Sequence, residues 1–115
     1  MTVTIYHNPR CSKSRQTLAL LRERGIEPEV VEYLKTPPDA ARLGALLDLL
    51  GLAPRDLMRR KETPYTELGL DDPTLGRDAL IAAMVSNPIL IERPIVVSGP
   101  KATLGRPPEA VLEIL

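Results

Sequence analysis

Aromatic side chains are scarce in this chain, with three tyrosines and no phenylalanine or tryptophan in 115 residues. An interior built from it has to be aliphatic, assembled from Leu, Ile, Val and Ala. Cysteine is scarcer still, at one residue, so an internal disulfide is excluded. A domain of this size buries roughly two-thirds of its unfolded surface and needs no disulfide or metal staple. Net charge is absent too, with fifteen Lys and Arg balancing fifteen Asp and Glu. That balance argues against a general nucleic-acid binder, which carries a basic excess. No apolar run approaches the ~18 residues of a membrane span, and the opening Met1-Thr2-Val3-Thr4-Ile5-Tyr6 lacks the charged and apolar regions of a signal peptide. Repeats and low-complexity tracts are missing as well. What remains is 43% apolar and 26% charged, an ordinary globular composition. The expectation is a single cytoplasmic domain spanning residues 1–115, without membrane or nucleic-acid partners.

Twelve prolines and seven glycines punctuate the chain. Val3-Thr4-Ile5-Tyr6 alternates as a short strand that His7-Asn8-Pro9 ends. Ser12 to Arg24 is rich in helix formers, and Gly25 stands where a helix ends. Glu29 to Tyr33 reads as a second strand, giving a strand–helix–strand opening of about 30 residues, long enough for a parallel crossover. Thr36 is a candidate cap for the next helix, in which Leu43, Leu46, Leu47 and Leu50 fall at i, i+3, i+4 and i+7 before Gly51. Shorter helical pieces are predicted at 54–60 and 65–68, and a longer helix at 76–86 that turns Leu80, Ile81, Met84 and Val85 inward. Pro94-Ile95-Val96-Val97 is a strand, Gly99-Pro100 a turn, and Ala102–Gly105 the returning arm of a hairpin. Pro107 opens a last helix with Val111, Ile114 and Leu115 facing inward. The predicted order is β-α-β, a helical insertion, then β-β-α: an α/β fold with a mixed sheet and helices on both faces.

Cys11 is the candidate for chemistry. It falls where the first strand's carboxyl end feeds a helix, where unsatisfied N–H groups and the positive end of the helix dipole favour a thiolate and a neighbouring oxyanion. Arg10, Lys13 and Arg15 all lie within four residues of it, whereas the nearest carboxylate along the chain is Glu23. Basic charge at that end opposes the helix dipole, so an anionic partner makes better sense of it. Ser12 and Ser14 add hydroxyls to a donor-rich pocket for a tetrahedral oxyanion. Cys11-Ser12-Lys13-Ser14 is a C-x-x-S motif, with Ser14 at the place of a dithiol enzyme's second cysteine. An adduct on Cys11 therefore has to be resolved by an outside thiol.

With these residues in place, the chain resembles the glutaredoxin-coupled arsenate reductases, a thioredoxin-like family related to redox regulators that bind RNA polymerase. The resemblance is carried by 5–11 (Ile-Tyr-His-Asn-Pro-Arg-Cys), Ser14-Arg15 and 33–38 (Tyr-Leu-Lys-Thr-Pro-Pro). It continues through 57–61, 64–70, 88–97 (Pro-Ile-Leu-Ile-Glu-Arg-Pro-Ile-Val-Val), 105–107 and 111–115. The chain departs from plasmid-type members in ending at Leu115, in having Ser12-Lys13 where they have Gly-Thr, and in carrying Arg10 in place of a small residue.

The resemblance implies that Cys11 is the nucleophile and that Arg59, Arg93 and Arg106 hold arsenate and its adducts. It implies that His7 and Ser14 tune the thiol, and that Pro94 is the proline that thioredoxin-like folds commonly place, in cis, facing the active-site loop. Arginine suits the substrate, since guanidinium forks match an oxyanion's oxygens bidentately. The implied activity is arsenate reduction to arsenite through a covalent Cys11 adduct. No cofactor is bound, glutathione is the co-substrate and glutaredoxin the partner. Two other readings of the same residues are a glutathione-dependent monothiol oxidoreductase acting on another acceptor, and a non-catalytic redox or transcription regulator. The regulator reading is weakened because Ser14 removes the C-x-x-C switch.

Overall fold

A computed structural model describes residues 2–115. Its contacts divide the chain into two compact units. One runs up to Thr36 and resumes at Arg93–Leu115, and the other is Pro37–Glu92.

The first unit is a four-stranded sheet of β1 (Val3–His7), β2 (Glu29–Glu32), β3 (Ile95–Ser98) and β4 (Lys101–Leu104), in the order β2-β1-β3-β4. β1 runs parallel to β2 and antiparallel to β3, and β3 is antiparallel to β4. The parallel pair needs a crossover, which α1 (Ser12–Glu23) supplies. α1 stops because Gly25 takes φ 74°, which lets the Ile26 amide return to Leu21 O at 3.0 Å. Alternation along the central strand puts Val3 and Ile5 on one face, where they pack with Leu21 of α1, Val96 of β3 and Val111. Leu18, Leu20, Ile26 and Ile114 close around this cluster. Each buried aliphatic side chain there contributes about 1.5–3 kcal/mol. The opposite face carries Tyr6, Ile95 and Val97, also buried.

The final segment differs from expectation. Pro108–Ile114 winds as a 3₁₀ helix beginning one residue later than predicted, and Leu115 is 46% exposed rather than inward. At three residues per turn Val111 and Ile114 eclipse on the sheet side, and Leu115 falls a third of a turn away.

In the second unit, α2 (Ala40–Leu50) and α4 (Arg77–Ser86) pack together, burying Leu43, Leu46 and Leu47 on one and Leu80, Ile81 and Met84 on the other. Between them lie a 3₁₀ turn (Pro54–Leu57) and the short α3 (Thr63–Glu67). The cap of α2 is Asp39, whose carboxylate accepts from the Arg42 amide at 2.7 Å, and not Thr36. Thr36 and Pro37 each precede a proline and are pushed toward extended backbone, so the helix starts after both. A single antiparallel bridge joins Met58 to Ile91, flanked by Arg59 N–H donating to Leu90 O at 2.7 Å and Glu92 N–H donating to Leu57 O at 2.8 Å. Among the described residues no helix is long and apolar enough to cross a membrane.

Candidate active site

The loop between β1 and α1 is held from within. Cys11 N–H donates to Asn8 O at 3.0 Å, and Arg10 N–H donates to the Asn8 side-chain oxygen at 3.0 Å. Together they close a tight Asn-Pro turn. Asn8 is buried, and its structural role is one that the sequence reading missed. Its signal was the Asn8-Pro9 dipeptide, read there only as the end of a strand. Cys11 then occupies the N-cap position of α1 with extended backbone (φ −92°, ψ 122°), and no side chain caps the helix. No acidic residue stands in its first turn, so the amide ends and the half-buried Cys11 thiol share one donor-rich corner.

Arg106 reaches this corner from the far end of the chain. Its Nη2 donates to Cys11 Sγ across 3.8 Å, while Nε donates to Arg93 O at 2.8 Å. Gly105 makes that approach possible. A Cβ on residue 105 would sit 2.5 Å from Thr17 Oγ1 and 2.7 Å from Pro94 Cγ, so only glycine lets the chain leaving β4 pass this close to α1. Gly105 N–H donates to Pro94 O at 2.9 Å, and the Arg93–Pro94 and Arg106–Pro107 peptide bonds are both cis. Arg93 is half-buried, with Nε and Nη1 withdrawn from solvent. Cys11, Arg93, Pro94 and Arg106 are thus connected within one unit.

Arg59 belongs to the second unit, where two carboxylates flank it. Its Nε lies 3.3 Å from Glu62 Oε1 and its Nη1 3.3 Å from Glu92 Oε1. The Glu62 contact is an ion pair without hydrogen-bond alignment, since Nε is buried and makes no hydrogen bond. The Met58–Ile91 bridge sets Arg59 opposite Leu90 and Glu92 opposite Leu57, so the two charged side chains meet diagonally across it.

Ser14 requires a correction. Its hydroxyl is not part of an oxyanion pocket, because the side chain is fully buried and turned inward. Ser14 Oγ accepts from the Asn8 amide at 3.1 Å and lies 2.6 Å from His7 Nδ1. His7 is not beyond the strand but its last residue. Burial holds its imidazole below the ordinary pKa of 6.5, with Arg22 and Arg15 adding to the effect and Glu32 opposing it. His7 is therefore neutral at neutral pH. The basic cluster is exposed throughout: Arg10, Lys13 and Arg15 all lie at the surface, and Arg15 turns back to donate to Pro9 O at 2.9 Å and braces the loop.

Comparison with known proteins bears on the family and the fold. A model of the ArsC family matches residues 6–114. An arsenate reductase of Rhizobium meliloti is 55% identical over all of this chain and 82% of its own length. The uncharacterized protein YfgD of Escherichia coli K12 is 64% identical over 98% of this chain and 96% of its own. Among solved structures, an arsenate reductase from Vibrio cholerae superposes with a TM-score of 0.97 at 58% identity, covering 100% of this chain and 98% of that one. The sheet and its helices are thus of the thioredoxin-like α/β class, and the chain belongs to the ArsC family.

Proposed function

We propose that this protein reduces arsenate to arsenite with Cys11 as nucleophile, drawing electrons from glutathione and glutaredoxin. The observation that carries the reading is the 3.8 Å approach of Arg106 to Cys11 Sγ at the uncapped N-terminus of α1, in a chain 55% identical along its full length to an arsenate reductase. A guanidinium beside the attacking sulfur offsets the repulsion between two anions as they meet.

The reaction balances in four steps. The Cys11 thiolate attacks arsenic, an S–As bond forms, and one arsenate oxygen departs as water. The thiol of glutathione displaces a second oxygen, again as water, leaving arsenic with two sulfur ligands. A glutaredoxin thiolate then attacks the glutathione sulfur. That S–As bond breaks with its electron pair on arsenic, which passes from As(V) to As(III), while the two outside thiols become a mixed disulfide. Hydrolysis of the remaining S–As bond releases arsenite and returns Cys11. The outside thiols are required because the chain holds one cysteine.

Arg93 and Arg106 clamp the oxyanion, and the resemblance assigns Arg59 a third contact to it. Neutral His7 and Ser14 act through the Asn8 loop as positioning residues for Cys11. The test is arsenite formation from arsenate with glutathione and glutaredoxin. Cys11→Ser is expected to be inactive, and Arg93→Ala or Arg106→Ala to lose about a hundredfold in kcat/KM. An inactive wild type would favour a monothiol oxidoreductase with another acceptor, and turnover surviving in Cys11→Ser would refute the mechanism.

A further inference from the structure

A cavity of about 210 Å³ opens beyond the ends of β1 and β2, next to the nucleophile loop. We propose that it receives the γ-glutamyl end of the reducing thiol, an inference that rests on the reading above. Its walls include His7, Arg10, Glu32, Leu34 and Lys35. His7 and Glu32 are register partners at the last positions of two parallel strands, so the cavity lies at the strand end from which the nucleophile loop departs.

Size, charge and reach select the ligand. The volume equals about seven waters at ~30 Å³ each, and whole-ligand sites start near ~300 Å³. It therefore suits one amino-acid-sized end of a ligand and not a complete tripeptide. The wall presents two cations, Arg10 and Lys35, and one carboxylate, Glu32, with His7 neutral. Lys35 Nζ lies 3.6 Å from Glu32 Oε1 in a largely exposed pair, loose enough to open around an incoming zwitterion. The γ-glutamyl end of glutathione carries an α-carboxylate and an α-ammonium, whereas its glycine end carries a carboxylate alone. The former meets both signs of the wall, whereas the latter offers Glu32 no cation. Arg10 directly precedes Cys11, and an extended tripeptide spans about 10 Å. A thiol anchored here by its end therefore brings its sulfur to the nucleophile. The larger depression of about 560 Å³ beside α1 also carries two cations and a carboxylate, Arg15, Arg22 and Glu23, but it is wide open to solvent and is lined by α1 alone, with no residue of the nucleophile loop.

Two experiments decide the matter, and the first needs no turnover. S-methylglutathione, which has no free thiol, is titrated into the full-length protein while backbone amides are followed by NMR. Saturable shifts are expected at Glu32, Leu34 and Lys35. Shifts absent there, or confined to residues 93–106, would overturn the proposal. In the second, Lys35→Glu is expected to raise the KM for glutathione about tenfold through reversal of one near charge. Lys35→Arg restores it, and the difference disappears when 2-mercaptoethanol, which has no charged end, replaces glutathione. An unchanged KM for glutathione in Lys35→Glu would equally overturn it. A wild type without arsenate turnover removes the reading above, yet the NMR titration still decides whether the cavity binds the thiol.

Discussion

Replacing Ser14 by alanine removes one oxygen atom from a site with no access to water. That oxygen accepts from the Asn8 amide at 3.1 Å and meets His7 Nδ1 at 2.6 Å, and Ser14, Asn8 and His7 are all buried. The deletion leaves two polar atoms without partners, and each such orphan costs about 1–3 kcal/mol. The two share one network, so their costs are not fully additive. Alanine recovers about 0.5 kcal/mol of helix propensity in α1. The expected loss is about 2–4 kcal/mol, a large share of the 5–15 kcal/mol typical of a domain. For 115 residues the unfolding entropy is about 0.24 kcal/mol/K, so Tm should fall by about 8–16 °C. Urea unfolding at neutral pH measures the loss as a lower midpoint at constant slope. Ser12→Ala is the control, since Ser12 is exposed on the same turn and should change stability by less than about 0.5 kcal/mol. A Ser14→Ala protein no less stable than Ser12→Ala would refute the assignment of Ser14 as the anchor of the loop.

Because burial lowers the His7 pKa below 6.5, the unfolded chain binds a proton that the folded one resists. The stability this group contributes is complete above pH 6.5 and is lost as pH falls through the folded value, with a slope of at most about 1.4 kcal/mol per pH unit. Urea midpoints measured from neutral to mildly acidic pH should show this slope in the wild type and not in His7→Gln, and parallel profiles would contradict it. Gly105→Ala places a methyl group against Thr17 and Pro94 and should cost about 1–3 kcal/mol. It should also raise the KM for arsenate by displacing Arg106, which unfolding and kinetic measurements check separately. Asp39→Ala should cost about 1 kcal/mol by removing the α2 cap, while Thr36→Ala changes the urea midpoint little.

Much of the fold was legible because local chemistry settles it. The Leu43–Leu50 stripe, the glycine after α1 and the Gly99-Pro100 turn each solve a problem within a few residues, and the elements lie where those signals place them. Errors arose where two local solutions compete. Thr36 and Asp39 are both good caps, and only the steric push of the prolines decides for Asp39. Pro107 can open an α-helix or a 3₁₀ helix, and packing of Val111 and Ile114 on the sheet selects the tighter one. The direction of Ser14 was hidden for a related reason. A serine in the first turn can face solvent or the preceding strand, and its partner His7 lies seven residues back on that strand.

The charge beside the nucleophile shows the limit most plainly. Local reading assigns it to Arg10, Lys13 and Arg15, because they are near in sequence. Nearness along the chain is a poor guide at a helix N-terminus, where cations are disfavoured by the dipole and side chains splay outward. Arg15 avoids that repulsion by folding back to a carbonyl of the preceding loop, and all three side chains stay exposed. The cation that reaches Sγ comes from 95 positions away, carried on a backbone that has no side chain at the one place where it crosses α1. Arg106 comes from beyond the end of β4, with its Nε bonded to Arg93 O and its Nη2 at 3.8 Å from the sulfur. A guanidinium held this way is oriented by the strand end and the Arg93 carbonyl, whereas a cation grown from the first turn of α1 would stand against the dipole of its own helix.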